Sequence, residues 1–287
     1  MNMDQHCDRQ HRPIATCRRI EVDGLYIHLT ETGGGSYPIV LVHGGQAWAF
    51  TWRHQLEPLA AAGYRAIAPD LPGSGHSDLP RDYDYSIEEL SRFLSSLLDA
   101  LQIGRAAFIA NSAGGPPVLD FALRHPKRVA ALILVSTCGV PHSKPFLWKL
   151  VRLPLVGEAT KYFLTPSLVR DNLRQMVHDK TLITDDVVTA YFEPLHRRDA
   201  CQAQLKLERR WQPGWVEANL EWITAPTLAV WGKYDPVHPL KMAREFGQRI
   251  YGAQVEILSD CGHLPHEEQA EKFNPLVVNF LQRHWGA

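Results

Sequence analysis

The chain has 287 residues, 45% hydrophobic and 21% charged, enough to bury one large core and carry an inserted subdomain. Its formal net charge of −1 leaves no electrostatic footprint for nucleic acid or an acidic membrane surface. No apolar run approaches the ~20 residues needed to cross a bilayer. Residues 1–18 are polar and carry Arg9, Arg12 and Arg18 without an apolar stretch, so they read as a mobile tail rather than a signal peptide. From Arg18 to Thr30 the pattern predicts two strands joined at the turn dipeptide Asp23-Gly24. Pro38 to Val42 is an unbroken apolar strand, and an amphipathic helix is expected from about Trp52 to Ala62. Tyr64 to Ala68 is the next strand, closed by a Gly/Pro/Ser-rich loop after Asp70. Ser86-Ile87-Glu88-Glu89 has the form of a capping box and opens a helix reaching Leu101. A strand from Ala106 to Ala110, a helix after Ser112 and a strand from Val129 to Val135 continue the alternation. Apolar strands alternating with helices predict an α/β fold, a mostly parallel sheet covered on both faces.

Between about Cys138 and Ile223 the alternation stops. The stretch is rich in Leu, Arg and aromatics and is punctuated by Pro141, Pro145, Pro154, Pro166 and Pro194. It reads as a helical cap inserted after the sixth strand, whose task is to exclude water and shape a pocket. The expected division is a tail at 1–18, a core at 19–137 and 225–287, and a cap at 138–224.

Chemistry concentrates at Phe108 to Gly115. A short apolar strand ends at Ser112 among small residues and a helix-like segment follows, which forces the serine side chain out of a sharp turn. This is the G-x-S-x-G nucleophile elbow, with Ala110 in place of the first glycine. Such a serine needs a base, and the base an orienting carboxylate. Two later strands end in loops that carry Asp235 and His263. His43-Gly44-Gly45-Gln46, at the end of the Pro38 strand, offers unshielded backbone N–H groups for an oxyanion hole. Gly45 and Ala113 are the assigned donors, with Gln46 replacing or supplementing Gly45. His43 is expected to brace this loop rather than transfer protons. Gly44, Trp48, Trp148 and Trp211 are candidate substrate contacts, with Phe50, Phe146, Phe163, Tyr191, Phe192 and Trp215 as further pocket candidates.

With these pieces assembled, the chain resembles the α/β-hydrolase superfamily. The likeness rests on His43-Gly44-Gly45, the loop from Asp70 to Asp78, Asn111-Ser112-Ala113-Gly114-Gly115, Trp231 to Asp235, and Gly262-His263-Leu264-Pro265-His266-Glu267. It implies a mostly parallel eight-stranded sheet with a helical cap over the elbow. It also implies hydrolysis through an acyl-enzyme on Ser112, with His263 as base and Asp235 as its orienter. The default substrate is a small-molecule carboxylic ester or lactone. Dehalogenases and epoxide hydrolases of the superfamily carry aspartate at the elbow, so Ser112 argues against both. A carbon–carbon hydrolase of the meta-cleavage type also uses a serine elbow, and Arg209 or Arg210 would then hold the substrate carboxylate. Aminopeptidase, with Glu193 or Glu208 holding the substrate amine, and thioesterase are further readings. A non-hydrolytic ligand-binding protein on the same fold is the reading from a different class.

Cys7, Cys17, Cys138, Cys201 and Cys261 are scattered and odd in number, which fits free thiols in the cytoplasm better than a disulfide framework. The spacing of His6, Cys7, His11 and Cys17 matches no familiar zinc pattern. No metal or cofactor is expected, and no heptad or exposed-strand pattern sets an oligomeric state.

Overall fold

The computed structural model describes residues 15–141, 153 and 164–286. Its centre is an eight-stranded sheet of order β1-β2-β4-β3-β5-β6-β7-β8. The strands are β1 (Ala15–Val22), β2 (Leu25–Thr32), β3 (Tyr37–Val42), β4 (Tyr64–Pro69), β5 (Ala106–Asn111), β6 (Val129–Val135), β7 (Thr227–Gly232) and β8 (Gln254–Leu258). β1–β2 and β2–β4 are antiparallel, and every pairing from β4 through β8 is parallel. β3, β5, β6 and β7 sit inside the sheet, and only continuous apolar runs can be buried on both faces at once.

Helices cover both faces. One apolar cluster packs α2 (Ile87–Ala100), α3 (Gly115–Arg124) and α8 (Leu240–Arg249) through Phe93, Leu97, Phe121, Met242 and Phe246. The other packs α1 (Leu56–Ala61) and α10 (Ala270–His284) through Leu59, Phe273, Val277 and Phe280. Between β6 and β7 lie α4 (Pro166–Met176), α5 (Asp185–Leu195), α6 (Ala200–Arg210) and α7 (Gly214–Asn219); a short α9 (Pro265–Glu268) precedes α10. α4 and α5 build a third cluster from Val169, Leu173, Val188 and Tyr191, closed by Leu264 next to His263.

Several local expectations are corrected. Residues 15–18, expected in the tail, belong to β1, where Arg18 pairs with Glu31 across the β1–β2 ladder at 2.6 Å. Residues 1–14 lie outside the described residues. The helix expected from Trp52 is a 3₁₀ turn at Ala49–Trp52, with α1 beginning only at Leu56. At Ser86 half of the capping box forms. Its hydroxyl accepts the Glu89 N–H at 3.1 Å, while the Glu89 carboxylate turns outward to Arg92. Cys138, Cys201 and Cys261 are thiols as expected, whereas Cys17 is disulfide-bonded. No helix of the described residues is long and apolar enough to cross a membrane.

Candidate active site

The strand ends of the parallel sheet bring Ser112, Asp235 and His263 together from positions up to 151 residues apart. Ser112 follows β5 with φ of +49°, a left-handed backbone that costs a non-glycine residue ~1–3 kcal/mol. That conformation is held from β6's end, where Thr137 Oγ1 and Cys138 N–H both donate to Ser112 O, at 2.8 and 3.1 Å. Thr137 stands so close that a Cβ on Gly115 would lie 1.5 Å from its Oγ1, so a larger residue at the start of α3 would have to displace Thr137. The serine hydroxyl is 3.0 Å from His263 Nε2, and His263 Nδ1 is 2.9 Å from Asp235 Oδ2. Asp235 Oδ1 also accepts the backbone N–H groups of Val237 and His238, each at 2.8 Å. Because a carboxylate only accepts, Nδ1 carries the imidazole proton and Nε2 faces Ser112 as an acceptor.

Burial pushes the Asp235 carboxyl up. The His263 imidazole beside it and the donated N–H bonds outweigh that and hold it below the usual carboxylate range. The two loops are tied by Tyr234 N–H to Cys261 O at 2.9 Å, and a Cβ on Gly232 would lie 1.9 Å from Gly262 O. The Trp-Gly pair ahead of Asp235 therefore has a packing reason: the loops touch backbone to backbone. His263 N–H donates to Met176 O at 2.8 Å, docking the histidine loop on the end of α4.

Gly45 and Ala113 face one another, since a Cβ on Gly45 would rest 3.8 Å from the Ala113 methyl. Gln46 departs from its expected part as a donor to the reacting oxygen. Its φ of +58° turns its N–H to Gln204 Oε1 of α6 at 3.2 Å. His43 is a brace: its Nε2 accepts the Leu71 N–H at 3.0 Å and its Nδ1 donates to Gly44 O at 2.8 Å. Burial lowers its pKa and keeps the ring neutral.

Trp48 is used structurally, donating Nε1–H to Ala190 O of α5 at 2.9 Å and stacking on Phe50. Trp211 is buried in the cluster of Leu207, Val216 and Leu220. Trp215 is half-exposed beneath the Arg124 guanidinium. Trp148, Phe146 and Phe163 lie outside the described residues. Arg210 pairs with Asp84 at 3.1 Å on the surface, so it does not serve the carboxylate-holding part considered for it.

Two residues in stretches that carry the resemblance, Asp70 and Glu267, were given no role by sequence reasoning. Asp70 is fully buried and accepts from Ala49 N–H, His76 N–H and His28 Nδ1, which organises the loop below Trp48. Burial raises its pKa, but these partners overcome that and keep it ionised. Glu267, four residues past His263, is buried against Arg53 at 2.7 Å and accepts from Thr51 Oγ1 and Tyr191 OH, joining α5 to the histidine loop. A carboxylate following a histidine loop was the available signal; its partners lie 76 to 216 residues away.

Asp235, His238 and His263 are the one grouping of metal-ligating types among the described residues, with donor atoms within 4.8 Å. Their polar atoms are already committed to one another and to backbone groups, so we do not assign them as metal ligands.

Comparison with known proteins places the site in context. The model of the alpha/beta hydrolase fold family matches residues 37–270. A 2-hydroxy-6-oxononadienedioate/2-hydroxy-6-oxononatrienedioate hydrolase of Paraburkholderia xenovorans is 36% identical over 273 residues, covering 91% of this chain and 92% of the relative. A 2-hydroxy-6-oxo-6-phenylhexa-2,4-dienoate hydrolase of Comamonas testosteroni is 30% identical, covering 92% and 93%. Among solved structures, a meta-cleavage product hydrolase superposes with a TM-score of 0.80 at 27% identity, covering 93% of this chain and 98% of that one.

Proposed function

The chain belongs to the α/β-hydrolase fold family, and from that premise we propose that it is a serine hydrolase acting on a small-molecule carboxylic ester or lactone. One observation carries the serine-hydrolase part of the reading, which ester and carbon–carbon cleavage share: Ser112 Oγ, His263 and Asp235 form a continuous hydrogen-bonded line at 3.0 and 2.9 Å. As Ser112 Oγ attacks the carbonyl carbon, His263 Nε2 takes its proton, and Asp235 holds the tautomer and stabilises the imidazolium. The N–H groups of Gly45 and Ala113 receive the oxyanion, a donor of this kind contributing ~3 kcal/mol. His263 then returns the proton to the leaving oxygen, and an acyl-serine forms. Water activated by the same imidazole releases the acid. Helices α4–α6, reaching over the histidine and oxyanion loops, act as the cap that excludes bulk water.

A second reading, cleavage of a carbon–carbon bond beside a carbonyl, draws support from the names of the relatives. It needs a cation for the substrate carboxylate; of the two arginines considered, Arg210 is engaged with Asp84 at the surface, which leaves Arg209 as the candidate. A fluorophosphonate probe with intact-mass readout tests the premise. A single adduct is expected on the wild type and none on Ser112→Ala, which should also lose at least ~10³-fold in turnover. Ester, lactone and dienoate panels then separate the two readings. Turnover of the dienoate alone overturns the ester assignment, and a folded, unlabelled wild type with no turnover moves the protein to the ligand-binding class.

A further inference from the structure

One buried side chain beside the reacting groups has no part in the chemistry above. His238, three residues after Asp235, is 3% exposed. Its backbone N–H donates to Asp235 Oδ1 at 2.8 Å, and its carbonyl accepts the Trp231 Nε1–H at 2.9 Å, which fixes where the ring starts. The ring then spans from the acid loop to the end of β6. Nδ1 lies 2.7 Å from Ser136 O, and Nε2 lies 3.3 Å from Cys138 Sγ. A carbonyl oxygen only accepts, so Nδ1 carries the proton, and the Cys138 thiol donates to Nε2. The same ring meets His263 nearly perpendicularly, with centroids 4.9 Å apart and an interplanar angle of 81°. At the β6 end the chain turns directly into the support of the nucleophile, because Thr137 Oγ1 and Cys138 N–H hold Ser112 O. One imidazole therefore touches the carboxylate loop, the ring of the base and the strand end beneath the nucleophile.

We propose that His238 is a positioning residue: bonded to Ser136 O and packed against His263, it sets the spacing between the Asp235–His263 pair and Ser112. The inference rests on the serine-hydrolase reading. A proton transfer across a 3.0 Å Oγ–Nε2 contact is sensitive to small displacements, and a misplacement of about 1 Å can cost ~10²-fold in rate.

The test uses His238→Phe, which keeps a ring against His263 and loses both ring hydrogen bonds, and His238→Asn, whose amide N–H can reach Ser136 O again. His238→Gln, which reaches toward Cys138 instead, stands in for the phenylalanine variant if that one does not fold. The readouts are kcat and KM for p-nitrophenyl butyrate, the rate of fluorophosphonate labelling of Ser112, the low-field proton signal of the His263–Asp235 hydrogen bond, and a thermal melt. His238→Phe is expected to lower kcat and the labelling rate by ~10–100-fold and to displace the low-field signal. KM should stay within about threefold, because no substrate contact is removed. His238→Asn is expected to recover most of the loss. A His238→Phe protein that melts lower yet keeps wild-type kcat, labelling rate and low-field signal overturns the proposal, as does an equal loss in the asparagine variant. Ser112→Ala run in parallel separates the premises. Wild-type turnover there overturns the hydrolase reading, whereas an inactive Ser112→Ala beside a fully active His238→Phe overturns this inference alone.

Discussion

Gly115→Ala puts the packing beneath the nucleophile to a quantitative test. The residue opens α3 with φ −66° and ψ −54°, ordinary helical angles that alanine prefers to glycine by ~1 kcal/mol. Propensity alone thus predicts a more stable protein. Against it, the added methyl would stand 1.5 Å from Thr137 Oγ1, 2.8 Å from Thr137 Cβ and 3.2 Å from Cys138 O. Thr137 can swing its hydroxyl away, but then its 2.8 Å hydrogen bond to Ser112 O is lost, at ~1 kcal/mol. The Cβ overlap remains and has to be relieved by moving helix or strand, an overpacking cost of ~1–3 kcal/mol. The net expectation is a destabilisation of ~2 kcal/mol, a fall in Tm of ~3–4 °C for a chain of this size. Activity should fall further than stability, because the left-handed turn at Ser112 loses one of its two carbonyl bonds. Thermal and urea melts of Gly115→Ala, Thr137→Ala and the double variant, each with kcat, form the assay. Removing Oγ1 abolishes the closest contact, so the double variant should be at least ~1 kcal/mol more stable than the sum of the single effects. Strict additivity, or a Gly115→Ala protein as stable and active as the parent, would refute the reasoning.

Two further expectations concern the same strand ends. In Gly44→Ala the new methyl would lie 3.0 Å from Asn111 Oδ1 and 3.1 Å from Ser112 Cβ, so it crowds the nucleophile directly. Turnover is expected to fall ~10-fold or more with Tm nearly unchanged, measured by ester hydrolysis beside a melt; undiminished turnover would mean the loop has room to retreat. The second concerns acid. Burial pushes His266 down to about 3, only partly opposed by Glu267, and its Nδ1 has no partner among the described residues. Unfolded, this group takes up a proton below its ordinary value of 6.5, whereas the folded ring stays neutral. Stability should therefore decline as pH falls from about 6.5 toward 3, by up to ~1.4 kcal/mol per pH unit for this one proton. His43, also lowered by burial, adds in the same direction. Asp70, Asp235 and Glu267, held below their ordinary values of 3.8, 3.8 and 4.5, begin to withdraw their contribution as pH falls through those values and so steepen the acid end of the same decline. Urea melts between pH 4.5 and 7 should show this slope, and His266→Gln should flatten it; an unchanged slope would place the proton uptake elsewhere.

What the amino-acid sequence determined by itself is local in origin. An interior parallel strand has no polar face, so Pro38–Val42, Phe108–Ala110 and Val129–Val135 are written as unbroken apolar runs and were legible as such. The elbow was legible because small residues must crowd a strained serine, and the order Ser112, Asp235, His263 follows from which strands end in loops. Tertiary structure alone decided what depends on the order of strands in the sheet. β6 lies beside both β5 and β7, which brings Thr137 under Ser112 and lets His238 reach Ser136. The Gln46 N–H was drawn to Gln204, 158 residues away, and Glu267 closed on Tyr191 and Thr51. Periodicity reports how a residue faces its own element; a hydrogen bond between distant loops is set by the packing of whole layers, and only the folded chain contains it.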